Sequence, residues 1–244
     1  MDGSYSRDAI PADVLPAARV VSVTRDFPAG DQTVKAVDDV SLVIPRGQLL
    51  AIVGRSGSGK STLLNLLAGI DVPTSGEVWI GDRELSRLRD DDLTILRRDR
   101  LGIVYQFFNL LPTLSVRENV ALPALLGGSK RQSALSRADR LLADVGLSHR
   151  SDAKPHTLSG GEMQRTAIAR ALICEPELIL ADEPTGNLDS RNADQILQLL
   201  ANLSRDHGTS LVLVTHSREA AAIAGREIEM RDGHIVRDEM RVSA

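Results

Sequence analysis

G-R-S-G-S-G-K-S occupies residues 54–61, directly after the apolar run Leu49 to Val53 and just before a leucine-rich stretch. A strand, a glycine-rich loop and a helix in that order form the phosphate-binding arrangement known as the P-loop. Gly54, Gly57 and Gly59, with Ser56 and Ser58 between them, let backbone N–H groups curl around phosphate oxygens without a bulky side chain in the way. Lys60 is expected to reach the β- and γ-phosphates, and Ser61 to place its hydroxyl on Mg²⁺. Thr62 is expected to begin a helix whose positive end favours the anion, buried through Leu63, Leu64, Leu66, Leu67 and Ile70. Alone, the loop implies a nucleoside triphosphate and nothing narrower.

Two more apolar runs end in residues with chemistry. Leu178 to Ala181 precede Asp182 and Glu183, and Leu211 to Val214 precede Thr215 and His216. Runs without polar alternation suit strands covered on both faces, as in a parallel sheet, where ligands sit beyond the carboxyl ends of the strands. Distant residues then share one rim. Asp182 suits a magnesium site reached through water, and Glu183 is placed to act as general base on an attacking water, a role contributing a factor of about 10² to 10⁴. Ser159-Gly160-Gly161 opens a further helical run, Glu162 to Ile173, and its exposed amides offer a second anion receptor. Two phosphate receptors imply either two ligands or a receptor offered to a partner.

The remaining pattern predicts an α/β fold: a P-loop NTPase core with a mainly parallel sheet, an antiparallel β subdomain and an inserted α-helical subdomain. Val20 to Thr24, Val34 to Ile44 and Glu77 to Ile80 read as strands of an antiparallel flap. Pro45-Arg46-Gly47 and Gly81-Asp82 supply turns. Leu114 to Leu158 read as helical, with Leu135, Leu141, Leu142 and Val145 on one face and a stop at Gly146. Asp232-Gly233 marks a hairpin between Ile228 to Met230 and His234 to Val236. Residues 1–18, with Asp2, Asp8, Asp13, Pro11 and Pro16, are expected to be a disordered leader, and 19–240 a single domain whose helical subdomain runs from about 107 to 165.

Composition narrows the function classes. The 244 residues, 42% of them hydrophobic, suffice for one sizeable core, and no apolar run approaches the about 20 residues that span a bilayer. A net charge of -4 gives no basic footprint for nucleic acid, which is not expected as a partner. The single cysteine, Cys174, follows Ala171, Leu172 and Ile173 and reads as a small buried hydrophobe in a reduced compartment. The mixed-charge stretch Arg83 to Arg100 reads as a solvated helical face, with head-group contact open for its basic part.

In combination these motifs resemble the nucleotide-binding subunits of ABC transporters, over residues from about Val20 to Val236. Residues 54–61 match Walker A, Leu178 to Asp182 match Walker B, Glu183 matches the catalytic glutamate, and Leu158 to Glu162 match the signature. Gln106 fits the Q-loop, Asn187-Leu188-Asp189 the D-loop, and His216 the switch histidine that contacts the γ-phosphate. The resemblance implies ATP and Mg²⁺ as cofactors, with Ser61, Gln106 and Asp182 at the metal. It also implies a head-to-tail dimer in which Ser159, Gly160, Gly161 and Glu162 of one copy complete the ATP site of the other.

Within that family, A-D-E-P-T-G-N-L-D-S at 181–190, Gln106 to Leu111 and Val116 to Val120 resemble the MacB/LolD group of macrolide exporters, lipoprotein-release ATPases, peptide-antibiotic pumps and cell-division ATPases. Such subunits sit on the cytoplasmic face of the membrane, held by a separate permease on which dimer closure pulls. The alternative is a cell-division type that signals through a permease-like partner without transport. ABC ATPases of DNA repair need very long insertions between Walker A and signature, and a small-molecule P-loop kinase needs an acceptor site in place of the signature serine.

Phe27 stands where an aromatic of the family stacks on adenine, with a core role in the flap as the alternative. Arg55 lies where small residues are common and is expected to point outward, and Glu162 replaces the frequent Gln. Aromatics make up only 2% of the chain, yet Tyr105, Phe107 and Phe108 crowd around Gln106. Phe107, Phe108, Leu110 and Leu111 either line a groove for a permease helix or fill a seam between subdomains.

Overall fold

The computed structural model describes residues 15–30 and 32–241. Strands β1 (Ala18–Ala29) and β2 (Gln32–Ile44) form a long hairpin, followed by β3 (Leu49–Val53) and helix α1 (Lys60–Leu67). Next come β4 (Ser75–Ile80), β5 (Arg83–Glu84), α2 (Asp90–Arg100) and β6 (Leu101–Val104). Helices α3 (Val116–Leu126), α4 (Arg131–Asp144) and α5 (Gly160–Leu172) lead to β7 (Leu178–Asp182). The chain closes with α6 (Ser190–Asp206), β8 (Ser210–Thr215), α7 (Arg218–Ala221), β9 (Arg226–Arg231) and β10 (His234–Met240).

Among the described residues the strands make two sheets. The larger has the order β10-β9-β3-β8-β7-β6, parallel throughout except for the β9–β10 hairpin. Leu50, Ile52, Leu180, Val212 and Val214 are buried at its centre, as continuous apolar runs covered by helices require. The smaller sheet, β2-β1-β4-β5, is antiparallel. It is the expected flap; β1 extends well beyond Val20 to Thr24, whereas β2 begins two residues before Val34 and ends at Ile44 as expected. Both belong to one apolar cluster with α1 and the strands behind it. A second cluster joins α3, α4, α5 and α6 to the other side of the parallel sheet.

Several local expectations need adjustment. α1 starts at Lys60, two residues before Thr62, because Gly59 in a left-handed conformation is already its N-cap. Ile70 lies beyond that helix and is exposed, so the apolar burial of the helix comes from its four leucines. α5 runs from Gly160 to Leu172 and includes position 165. β6 follows directly on α2 and was not marked in the sequence. A Cβ added at Gly102 of β6 would stand 2.6 Å from Ala171 O, which sets how closely α5 lies on the sheet.

Of the expected leader, residues 1–14 lie outside the described residues. Ala17 and Ala18 are fully buried, and Ala17 donates its N–H to Ile44 O at 2.9 Å, so the chain is part of the antiparallel sheet from there on. Arg226 closes the opposite side: its guanidinium pairs with Asp238 and donates to Val43 O at 2.8 Å, joining β9 to β2.

Candidate nucleotide site

The Gly-rich loop leaves β3 as a turn and enters α1 at the carboxyl edge of the parallel sheet. Its glycines are required by close approach as well as by backbone sign. A Cβ at Gly54 (φ +155°) would overlap Met230 O, and one at Gly59 (φ +97°) would overlap Ala36 O. The loop is therefore pressed between β9 and β2, and its shape is fixed from both sides.

Lys60 is buried and folded back over the loop, its Nζ donating to Gly54 O at 2.9 Å and Arg55 O at 2.8 Å. Burial lowers its pKa, while Glu183 and Asp182 act in the opposite sense. Ser61 Oγ donates to Asp182 Oδ1 at 3.2 Å, joining the loop to the end of β7. Asp182 has its pKa raised, chiefly by burial. Arg55 is exposed, as expected, and Ser56 with it, while Ser58 is buried and Thr62 sits in the first turn of α1.

Beyond β7, Glu183 adopts φ +46°, an uncommon conformation for a side chain of this type. Its N–H reaches Val214 O at 2.9 Å, which aims the carboxylate along the rim toward β8. There His216 Nδ1 lies 2.9 Å from Glu183 Oε1. Lys60, Ser61, Asp182, Glu183 and His216, more than 150 positions apart at the extremes, thus share one edge of the sheet.

Gln106 follows β6. Its amide Nε2 lies 3.4 Å from Asn187 Oδ1, and Asn187 Nδ2 donates to Gln106 O at 2.8 Å. The amide therefore rests on the 186–187 turn, where a Cβ at Gly186 would meet it at 2.8 Å, and no hydrogen bond joins it to the Ser61–Asp182 pair. Asp189 caps α6, accepting from Asn192 N at 3.0 Å and Asn192 Nδ2 at 2.6 Å, and these bonds hold its pKa low.

The second receptor forms at the start of α5. Ser159 is exposed and caps the helix: its Oγ accepts from Glu162 N at 3.3 Å, and Glu162 Oε2 accepts from Ser159 N at 2.8 Å and from Ser159 Oγ at 3.0 Å. This capping box could have been read from the S-x-x-E spacing. Arg150 Nε donates to Glu162 Oε1 at 3.0 Å. These partners, the Ser159 amide first, lower the Glu162 pKa to about 2. Glu162 thus faces its own helix start. Gly160 and Gly161 lie against Leu188 and Asn192, so the receptor is packed on the turn that carries Asp189.

Phe27, near the tip of the first hairpin, is 37% exposed, with the Arg25 guanidinium 4.5 Å from its ring centroid. It is absent from the apolar cluster of the flap, unlike a core aromatic. Phe107 and Phe108 divide the two readings of their cluster. Phe107 is 72% exposed, whereas Phe108 is half-buried with its ring turned toward Gly160. Cys174 is half-buried and burial raises its thiol pKa, as for a packing residue. A cavity of about 750 Å³ lies on the β9 side of the loop, lined by Gly54 to Ser58, His216 and Arg231. It takes in the first half of the loop, while Lys60, Ser61, Asp182 and Glu183 do not line it.

The family model described as ABC transporter matches residues 37–186 of this chain. The chain belongs to the ABC transporter family. As a cassette of that family it binds ATP and is an ATPase domain. It is 48% identical over 229 residues to "Macrolide export ATP-binding/permease protein MacB" of Burkholderia thailandensis, covering 94% of this chain and 35% of that protein. A protein of the same name from Rhodopseudomonas palustris is 48% identical over 216 residues, 88% of this chain and 33% of the relative. The chain therefore spans about a third of the length of these curated relatives. Among solved structures, the cassette MJ0796 described as a dimeric post-hydrolysis state bound to ADP and Pi superposes with a TM-score of 0.85 at 40% identity, over 93% of this chain and all of that one. CbiO1 from Clostridium perfringens, part of the transporter complex cbiONQ, gives a TM-score of 0.82 at 28% identity over 93% of this chain and 89% of that one.

Proposed function

We propose that two copies of this cassette bind head-to-tail and hydrolyse ATP at the seam, and that their closure drives a membrane permease of the MacB/LolD type. The observation that carries the reading is the run of contacts along one sheet edge, from Lys60 on the loop through Ser61–Asp182 to Glu183–His216. In this reading Phe27 stacks on adenine and residues Gly54 to Thr62 cradle the phosphates. Glu183 takes the proton of the attacking water and His216 holds Glu183 and the γ-phosphate in register.

Ser61 and Asp182, joined by Gln106 when its amide leaves Asn187, would hold Mg²⁺. Hydroxyl, carboxylate and amide oxygens suit this hard ion, which keeps several waters. When bound there, Mg²⁺ would supply positive charge that offsets the charge of the phosphates. Ser159, Gly160 and Gly161 of the second copy close over the γ-phosphate, with Glu162 holding the helix start and Asp189 the adjoining turn. The dimer is supported by the solved cassette, which is described as a dimer with ADP and Pi.

No helix among the described residues is long and apolar enough to cross a membrane. The permease is therefore supplied from outside residues 15–241, and the cassette is held peripherally on the cytoplasmic face by it. The cargo class is drug, peptide, lipid or lipoprotein. The test is Glu183→Gln with ATP and Mg²⁺, followed by light scattering during size exclusion. A dimer that persists with ATP and is absent with ADP supports the reading; a monomer with saturating ATP bound would refute it.

A further inference from the structure

Residues 105–115 have no regular secondary structure, and side chains from other elements hold their backbone. Asn187 grips Gln106 O at one end. At the other, the fully buried Asn119 takes Leu111 N at 2.7 Å and Leu111 O at 3.1 Å. Between them the chain makes a tight turn, with Asn109 N donating to Phe107 O at 2.5 Å. Phe108 (φ +57°) and Asn109 (φ +49°) are both left-handed, a strained choice for consecutive residues with side chains.

Arg170 holds this turn. From the last helical turns of α5, its Nη1 donates to Asn109 O at 2.5 Å and its Nη2 to Phe108 O at 2.8 Å. Among the described residues no carboxylate forms an ion pair with Arg170, so its charge is directed to the two carbonyls of the strained pair. A planar guanidinium can grip two such acceptors at once, and an ammonium cannot. Ser159, at the other end of the same rigid helix, opens the second anion receptor. Displacement of α5 therefore acts directly on the backbone that follows Gln106.

We infer that Arg170 is a positioning residue that transmits the placement of the receptor at Ser159 to Gln106, by way of the Phe108–Asn109 turn. The inference rests on the proposed roles of Ser159 and Gln106 at the nucleotide. The variants are Arg170→Lys, Arg170→Met and Arg170→Met with Asn109→Gly, glycine accepting the left-handed backbone without strain. Each is assayed as the full chain.

Amide hydrogen exchange at 107–111 should quicken about tenfold or more in Arg170→Met while amides of β3 and α1 stay protected. The Mg²⁺ concentration for half-maximal hydrolysis should rise severalfold, with Mg²⁺-free ATP affinity unchanged. Arg170→Lys should fall between, and Asn109→Gly should return most of the lost Mg²⁺ response. If Arg170→Met does not fold, Arg170→Lys is judged by the same readouts. A lowered melting temperature with unchanged exchange at 107–111 and unchanged Mg²⁺ dependence overturns the inference. Absence of hydrolysis by the parental chain would sink the reading of the site, and the exchange data would still decide whether Arg170 holds the turn.

Discussion

His216 Nδ1 and Glu183 Oε1 stand 2.9 Å apart, with the carboxylate 18% and the imidazole 70% exposed. Glu183, the proposed base, is sheltered and its partner sits at the opening. Glu183 also has a left-handed backbone although it is not a glycine, and such strain persists where surrounding contacts over-determine it. Replacing His216 with Ala should lower steady-state phosphate release by about tenfold or more, with ATP affinity retained. Glu183→Gln should cost a factor of about 10² to 10⁴, the range of a general base. A phosphate-release assay beside nucleotide titration separates the two effects.

Asp182 gives the chain a pH-dependent stability of predictable sign. Burial raises its folded pKa from the ordinary carboxylate value. The stability contributed by the protonated form is therefore fully present below the unfolded pKa and is lost as pH rises through the folded one. Asp182→Asn, whose side-chain oxygen still accepts from Ser61, should melt a few degrees higher (about 1–3 °C) than the parental chain at pH 7 without metal. The difference should vanish near pH 3, and Mg²⁺ with ATP should stabilise only the parental chain. Thermal melts across pH check all three.

Glu162 behaves in the opposite direction. Its pKa of about 2 reflects bonds that the charged form accepts from Ser159 and Arg150. That contribution is complete above the unfolded carboxylate pKa and is lost as pH falls toward 2. Glu162→Ala should destabilise by about 1 kcal/mol at pH 7, as loss of a helix cap does, and by progressively less as the buffer is acidified below pH 4. Denaturant titrations at pH 7 and pH 3 measure the gap.

The parts of the fold that sequence revealed are those whose cause is local. Leu49 to Val53, Leu178 to Ala181 and Leu211 to Val214 are wholly apolar because both faces of the parallel sheet are covered, and Asp232-Gly233 marks its hairpin with two left-handed residues. β6 leaves little signal in the sequence because four residues, one of them glycine, directly follow a charged helix. β9 was legible only from Ile228 to Met230, since Arg226 and Glu227 look like surface residues until Asp238 and Arg241 are seen to pair with them. At the site, the loop, Asp182, Glu183 and Ser159 were readable from spacing. The grip of Arg170 on Phe108 O and Asn109 O was not, because backbone acceptors leave no trace in residue identity.

Phe107 and Phe108 should respond differently to the same change. Phe107→Asp puts a charge on an already exposed position and should weaken recovery of a membrane permease on detergent co-purification, with ATP affinity and melting temperature unchanged. Phe108→Asp places the charge beside Gly160 and should lower stability as well. Equal destabilisation by both would assign the whole cluster to packing.

Shared sites make a prediction that no self-sufficient monomer can satisfy. Lys60→Ala lacks the phosphate ligand and Ser159→Arg blocks the receptor, so each chain alone should be inactive; mixed, they form a dimer in which one site takes its loop from the second chain and its receptor from the first. ATPase activity of the mixture, measured against each variant alone and against the parental chain, is the most direct test. Recovery of a substantial fraction of parental activity on mixing is the result expected. A Ser159→Arg chain that hydrolyses ATP at the parental rate by itself, or a mixture as inactive as its parts, would contradict hydrolysis at a seam between two copies.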